Sequence, residues 1–140
     1  MTHATQLWGA LPDDIREHWP GECGPGAASR YFPRSSFDIP CAQHDFDYLV
    51  GGTKVHWREA EHAHLARLRA HARAVSTSRV SLWWGLLVAQ TIWAWTRTWG
   101  YEVEDSWSRR DAPLTMEELT LTDEYEQAQT RAEEANYGQS

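Results

Sequence analysis

The sequence predicts an all-α fold, and three observations carry that expectation. Helical spacing recurs over two segments joined by Gly51-Gly52, with Trp57, Glu61, His64 and Leu68 on one side of the second. A third segment, residues 78–100, is apolar on nearly every side of a helical projection. From Asp111 onward the chain is acidic and rich in helix formers. At 140 residues the chain can bury one core and is too short to suggest two. We expect a domain over residues 1–110 and an acidic helical tail over 111–140.

The elements follow in order. Leu11, Ile15 and Trp19 share one side of a short N-terminal helix, and Pro12 and Asp13 suit its first turn. Residues 21–36 are rich in Gly, Pro and Ser, which predicts an irregular loop. A helix is expected from Pro40, whose missing N–H is no loss in a first turn, with Asp38 as its cap and Gly51-Gly52 as its stop. Thr53 caps the next helix, expected from about Val55 to Val75. So tight a turn makes the two helices antiparallel.

The third segment contains an apolar run shorter than a bilayer span, broken by Gln90 and Thr91 and flanked by Arg79 and Arg97. A buried helix, or one facing a protein partner or a second copy through residues 80–99, is therefore expected ahead of a lipid contact or a span. The acidic tail reads as a solvated terminal helix. Nine Trp residues are an excess that suits boundaries between apolar and polar surroundings.

Composition excludes some functions. A net charge of -7 argues against nonspecific nucleic-acid binding, which needs a dense cationic face, and against global attraction to anionic membranes. The N-terminus, MTHATQLWGALPDDIREHW, has neither a basic start nor a long apolar run, so no signal or transit peptide is expected.

The chemistry concentrates in "GECGPGAASRYFPRSSFDIPCAQHDFDYLVGG", residues 21–52, which holds both cysteines and an adjacent His44-Asp45 pair. A carboxylate suits a hard cation such as Ca²⁺, which fills its shell with backbone carbonyls and water. The glycines around Cys23 let a loop turn its oxygens inward. His44 and Tyr48, four residues apart, share a helical face. A zinc site from His56, His62 and His64 is disfavoured, because residues 62 and 64 point to different sides of a helix.

Cys-Gly-x-Gly, a proline-led helix and Cys-x-x-His-Asp-x-x-x-Tyr resemble the active-site core of the phospholipase A2 superfamily, over roughly residues 21–70. The following "GGTKVHWREAEHAHLARL" is similar to its small bacterial and phage-type members. The resemblance implies a calcium loop and two antiparallel active-site helices within residues 1–110, and a disulfide between Cys23 and Cys41. It also implies Ca²⁺ bound by Asp45 and the carbonyls of Glu22, Gly24 and Gly26. His44 would be the general base, supported by an acid on the second helix and by Tyr48, with the Gly24 amide stabilising the oxyanion.

The family's acid is usually Asp; here Glu61 follows Ala60, one methylene longer. Glu59 is the alternative, pointing to a different side. The resemblance implies that Glu61→Asp keeps or raises activity.

The implied activity is calcium-dependent hydrolysis of the sn-2 ester of glycerophospholipids at a membrane surface. Tyr31, Phe32, Phe37 and Phe46 are either its acyl channel or simple core. The competing expectation is a weak or inactive member of the same fold, serving as a membrane- or protein-binding component. A leaderless lipase would act after lysis, after delivery by a secretion or virion machine, or inside the cell, and its disulfide would persist in the first two settings.

Overall fold

The computed structural model describes residues 2–20, 34–99, 101 and 107–138, without the side chains of 34–39 and 99. All regular elements among the described residues are helices: α1 (His3–Ala10), α2 (Asp13–Glu17), α3 (Arg34–Val50), α4 (Lys54–Val75), α5 (Arg79–Trp99), α6 (Met116–Leu119) and α7 (Asp123–Tyr137). The all-α expectation holds at that level.

The N-terminal segment forms two helices rather than one, because Leu11 is extended and Pro12 starts a new helix as its N-cap. Leu11, Ile15 and Trp19 are all buried, but only Ile15 lies within a helix: Leu11 is the C-cap of α1 and Trp19 follows the end of α2, so they do not share one side of a single helix. Helix α3 begins at Arg34, ahead of the expected start, and carries Pro40 inside it. Proline there forgoes one backbone hydrogen bond, which the helix tolerates.

Helix α4 starts after Thr53, whose N–H donates to His56 Nδ1 at 3.0 Å. Trp57, Ala60, Glu61, His64, Leu68 and Ala72 form its buried side. Tyr48 meets Trp57, His44 meets Glu61, and Cys41 clusters with Leu68, so α3 and α4 run antiparallel. Helix α5 then folds back on α4, where Arg69 donates to Gln90 at 3.1 Å and Trp93 Nε1 donates to the Glu61 carbonyl at 3.0 Å.

The turn between α3 and α4 requires glycine. Gly51 has φ +66°, and a Cβ there would lie 2.1 Å from the Ser108 carbonyl oxygen. That close approach lets residues 107–114 run along the end of α3. Ser108 N–H donates to the Tyr48 carbonyl at 3.1 Å, Gly52 N–H to the Ser108 carbonyl at 3.1 Å and Leu114 N–H to the Val50 carbonyl at 3.0 Å.

One core cluster joins Leu7, Leu11, Ile15, Trp19, Phe46 and Val50 to Leu114, Leu119 and Ala128. Phe46 lies between Trp8 and Trp19, with centroid separations of 5.0 Å to each. Burying such a side chain stabilises the fold by about 2–3 kcal/mol. The C-terminal segment is thus part of the core. Helix α7 buries Ala128 and Ala132 while its acidic residues face water, so it is more than the solvated helix its composition suggests.

Helix α5 also departs from expectation. Ala89 and Ile92 are buried against α4, but Val80, Trp83, Trp84, Leu87 and Trp95 are exposed. It packs chiefly on α4, with Cys41 of α3 in the same cluster, and these neighbours leave one side of it uncovered among the described residues. No helix among the described residues is long and apolar enough to cross a membrane.

Candidate active site

The site lies between α3 and α4. The i to i+4 spacing stacks His44 beside Tyr48 on the α4-facing side of α3, with ring centroids 4.3 Å apart. From α4, Glu61 reaches across to both. Its Oε1 is 2.9 Å from His44 Nε2 and accepts from the Tyr48 hydroxyl at 2.5 Å. Trp57 Nε1 donates to the same hydroxyl at 3.1 Å.

The chain Trp57–Tyr48–Glu61–His44 is buried throughout. Burial, and next the Glu61 charge, push the Tyr48 phenol well above its usual range, so it stays neutral and donating. A carboxylate at Nε2 favours the tautomer with its proton there and leaves Nδ1 as the basic nitrogen. The backbone of Glu61 is held in turn by Trp93 of α5. Trp107 packs edge-on against Tyr48 at 5.2 Å and donates from Nε1 to the Gly52 carbonyl at 3.1 Å.

His64 adds a feature that sequence reasoning did not assign. Its ring stacks on His44 with centroids 3.9 Å apart, it is fully buried, and neither ring nitrogen has a hydrogen-bond partner among the described residues. Burial, then the neighbouring His44 and Arg67, hold its pKa well below the usual histidine value. It is therefore a neutral ring against one face of His44. Nearby, buried Asp47 pairs with Arg67 at 2.5 Å. Burial pushes the Asp47 carboxyl up, and Arg67 opposes that shift.

The structure therefore brings His44, Tyr48 and Glu61 together and sends Glu59 to the exposed side of α4. Cys41 lies on the same helix, buried and disulfide-bonded. Its expected partner Cys23, and Glu22, Gly24 and Gly26, lie outside the described residues, as do Tyr31, Phe32 and the Phe37 side chain. Phe46 belongs to the aromatic core with Trp8 and Trp19. Asp45 follows His44 on the half-buried side of α3.

No group of three or more His, Cys, Asp or Glu side chains that could hold a metal occurs among the described residues. Asp45 offers a half-buried carboxylate beside His44, a donor type that suits a hard cation such as Ca²⁺.

Trp57 and His64 were visible in sequence as members of the buried α4 stripe, but nothing there marked their hydrogen-bonding or stacking. Trp93 and Trp107 reach the site from far along the chain, and only the fold shows it.

No family model matches the chain, and neither a curated protein nor a solved structure matches it.

Proposed function

We propose that this chain is a calcium-dependent phospholipase A2-like hydrolase that cleaves the sn-2 ester of glycerophospholipids. The observation that carries the reading is the single Glu61 oxygen shared by His44 Nε2 and the Tyr48 hydroxyl. An imidazole oriented by a buried carboxylate is the arrangement a general base needs.

His44 accepts a proton at Nδ1 from a water that attacks the ester carbonyl carbon. Glu61 stabilises the resulting imidazolium, and Tyr48, steadied by Trp57, keeps the carboxylate aimed. The acyl C–O bond then breaks, and the proton passes from His44 to the departing glycerol oxygen. Asp45 with the carbonyls of Glu22, Gly24 and Gly26 would hold Ca²⁺, and the Gly24 amide would donate to the oxyanion. When bound, Ca²⁺ supplies positive charge that polarises the ester carbonyl and anchors the phosphate. Cys41, through its disulfide with Cys23, would fix the loop to α3.

The test is hydrolysis of a glycerophospholipid whose two acyl chains are distinguishable, with Ca²⁺ and with chelator. Release of the sn-2 chain alone, dependent on Ca²⁺, supports the proposal; sn-1 release or indifference to chelator contradicts it.

A second reading, a weak or inactive member of the same fold acting as a binding component, is favoured by Glu61 in the family's Asp position and by the exposed tryptophans of α5. A folded protein silent in every condition would select it.

A further inference from the structure

Helix α5 presents an apolar stripe away from α4. Val80, Trp83, Trp84, Leu87 and Trp95 recur at helical spacing and are 68%, 62%, 56%, 43% and 41% exposed. Thr91 and Thr98 interrupt the stripe, but their hydroxyls donate to the carbonyls of Leu87 and Ala94 at 2.9 and 2.7 Å. The stripe can therefore enter an apolar phase without stranding a hydroxyl donor.

Charge is unevenly placed around it. Residues 54–99 hold seven of the thirteen basic side chains and two of the twenty acidic ones, a formal +5 in a chain of -7, of which the pairing of Arg67 with buried Asp47 of α3 leaves +4. Of those two acids, Glu61 is buried. Arg79 and Arg97 are five helical turns apart and so lie along the same flank of the stripe. Arg97 sits over the Trp93 ring at 4.9 Å, and Arg69 reaches Gln90 from α4.

We propose that this side of α5 docks on the surface of an anionic phospholipid bilayer, with the helix lying in the interfacial plane. Trp83 and Trp84 enter the headgroup boundary, where an apolar ring with one polar N–H is favoured. The arginine flank meets the lipid phosphates. A second copy fits less well, because pairing two such faces sets one cationic hairpin against another. The proposal takes its phospholipid from the function proposed above and names the surface that delivers the enzyme to it.

The test uses the full chain in chelator, sedimented with vesicles of phosphatidylcholine alone or mixed with phosphatidylglycerol. Binding should require phosphatidylglycerol and weaken as salt is raised. The Trp83→Ser/Trp84→Ser chain should bind about tenfold or more weakly, and Arg79→Gln/Arg97→Gln about tenfold or more weakly. Both variants should keep the wild-type helical circular dichroism and hydrolysis of a dispersed short-chain phospholipid. Binding that ignores phosphatidylglycerol, binding that survives the double Trp change, or a wild-type dimer that this change dissociates would each overturn the proposal.

The two proposals fail separately. Vesicle binding by wild type and His44→Gln without hydrolysis by either would uphold the docking face and remove the activity. Hydrolysis of dispersed substrate without vesicle binding would do the reverse.

Discussion

Glu61 Oε1 lies 2.9 Å from His44 Nε2, so a carboxylate of α4 supports an imidazole of α3 across the buried helix interface. The separation of α3 and α4 already accommodates the longer acid. Glu61→Asp would withdraw the oxygen from both His44 and Tyr48, so the sequence-based expectation of kept or raised activity is replaced by a loss of about tenfold or more in kcat. Glu61→Gln should lose about a hundredfold or more, since an amide cannot stabilise the imidazolium. Steady-state kinetics on both variants checks the order; Glu61→Gln near wild type would show that the carboxylate is not His44's partner.

Tyr48 joins activity to stability. Tyr48→Phe removes the donor to Glu61 and leaves Trp57 Nε1 buried without its acceptor. The expected cost is about 1–3 kcal/mol, read as a lower urea midpoint at unchanged m-value. An unchanged midpoint would mean that the hydroxyl is dispensable to the fold.

Gly51 is the backbone position that admits residues 107–114. Gly51→Ala forces a left-handed conformation on alanine and drives its Cβ into the Ser108 carbonyl. The conformation alone costs about 1–3 kcal/mol, and the contact adds to it. Thermal unfolding should show a clear drop in midpoint, whereas a melt like wild type would mean that Ser108 can withdraw freely.

His64 predicts how stability responds to acid. Its folded pKa lies well below its unfolded value of 6.5, because burial first, then His44 and Arg67, oppose its charge. The stability it permits is full above pH 6.5 and is lost as pH falls below that value, at about 1.4 kcal/mol per pH unit. Thermal midpoints measured through this range should fall toward acid, and less steeply for His64→Phe, which stacks without titrating. Equal slopes would place the acid sensitivity elsewhere.

Much of the site was legible because it is local. His44 and Tyr48 share a helical face by spacing alone, and Trp57, Glu61, His64 and Leu68 form a stripe that only a packed α4 would carry. Gly51-Gly52 announced the turn that sets the helices antiparallel. What sequence could not show is tertiary. That Ser108 stitches to Tyr48, that Trp93 holds the Glu61 backbone and that α7 buries Ala128 against α1–α3 depend on chain segments meeting at long range. For α5 the pattern implied burial against more than one neighbour, yet one side is exposed, because apolarity all round becomes burial all round only where packing partners cover every side.

The most direct measurement is the initial rate of fatty-acid release from phospholipid vesicles in millimolar-range Ca²⁺ by wild type beside a folded His44→Gln chain. The account predicts release by wild type and a loss of about a hundredfold or more in the variant, with matching circular dichroism. Equal release by the two chains would contradict it, because the proposed chemistry has no other base in place of His44.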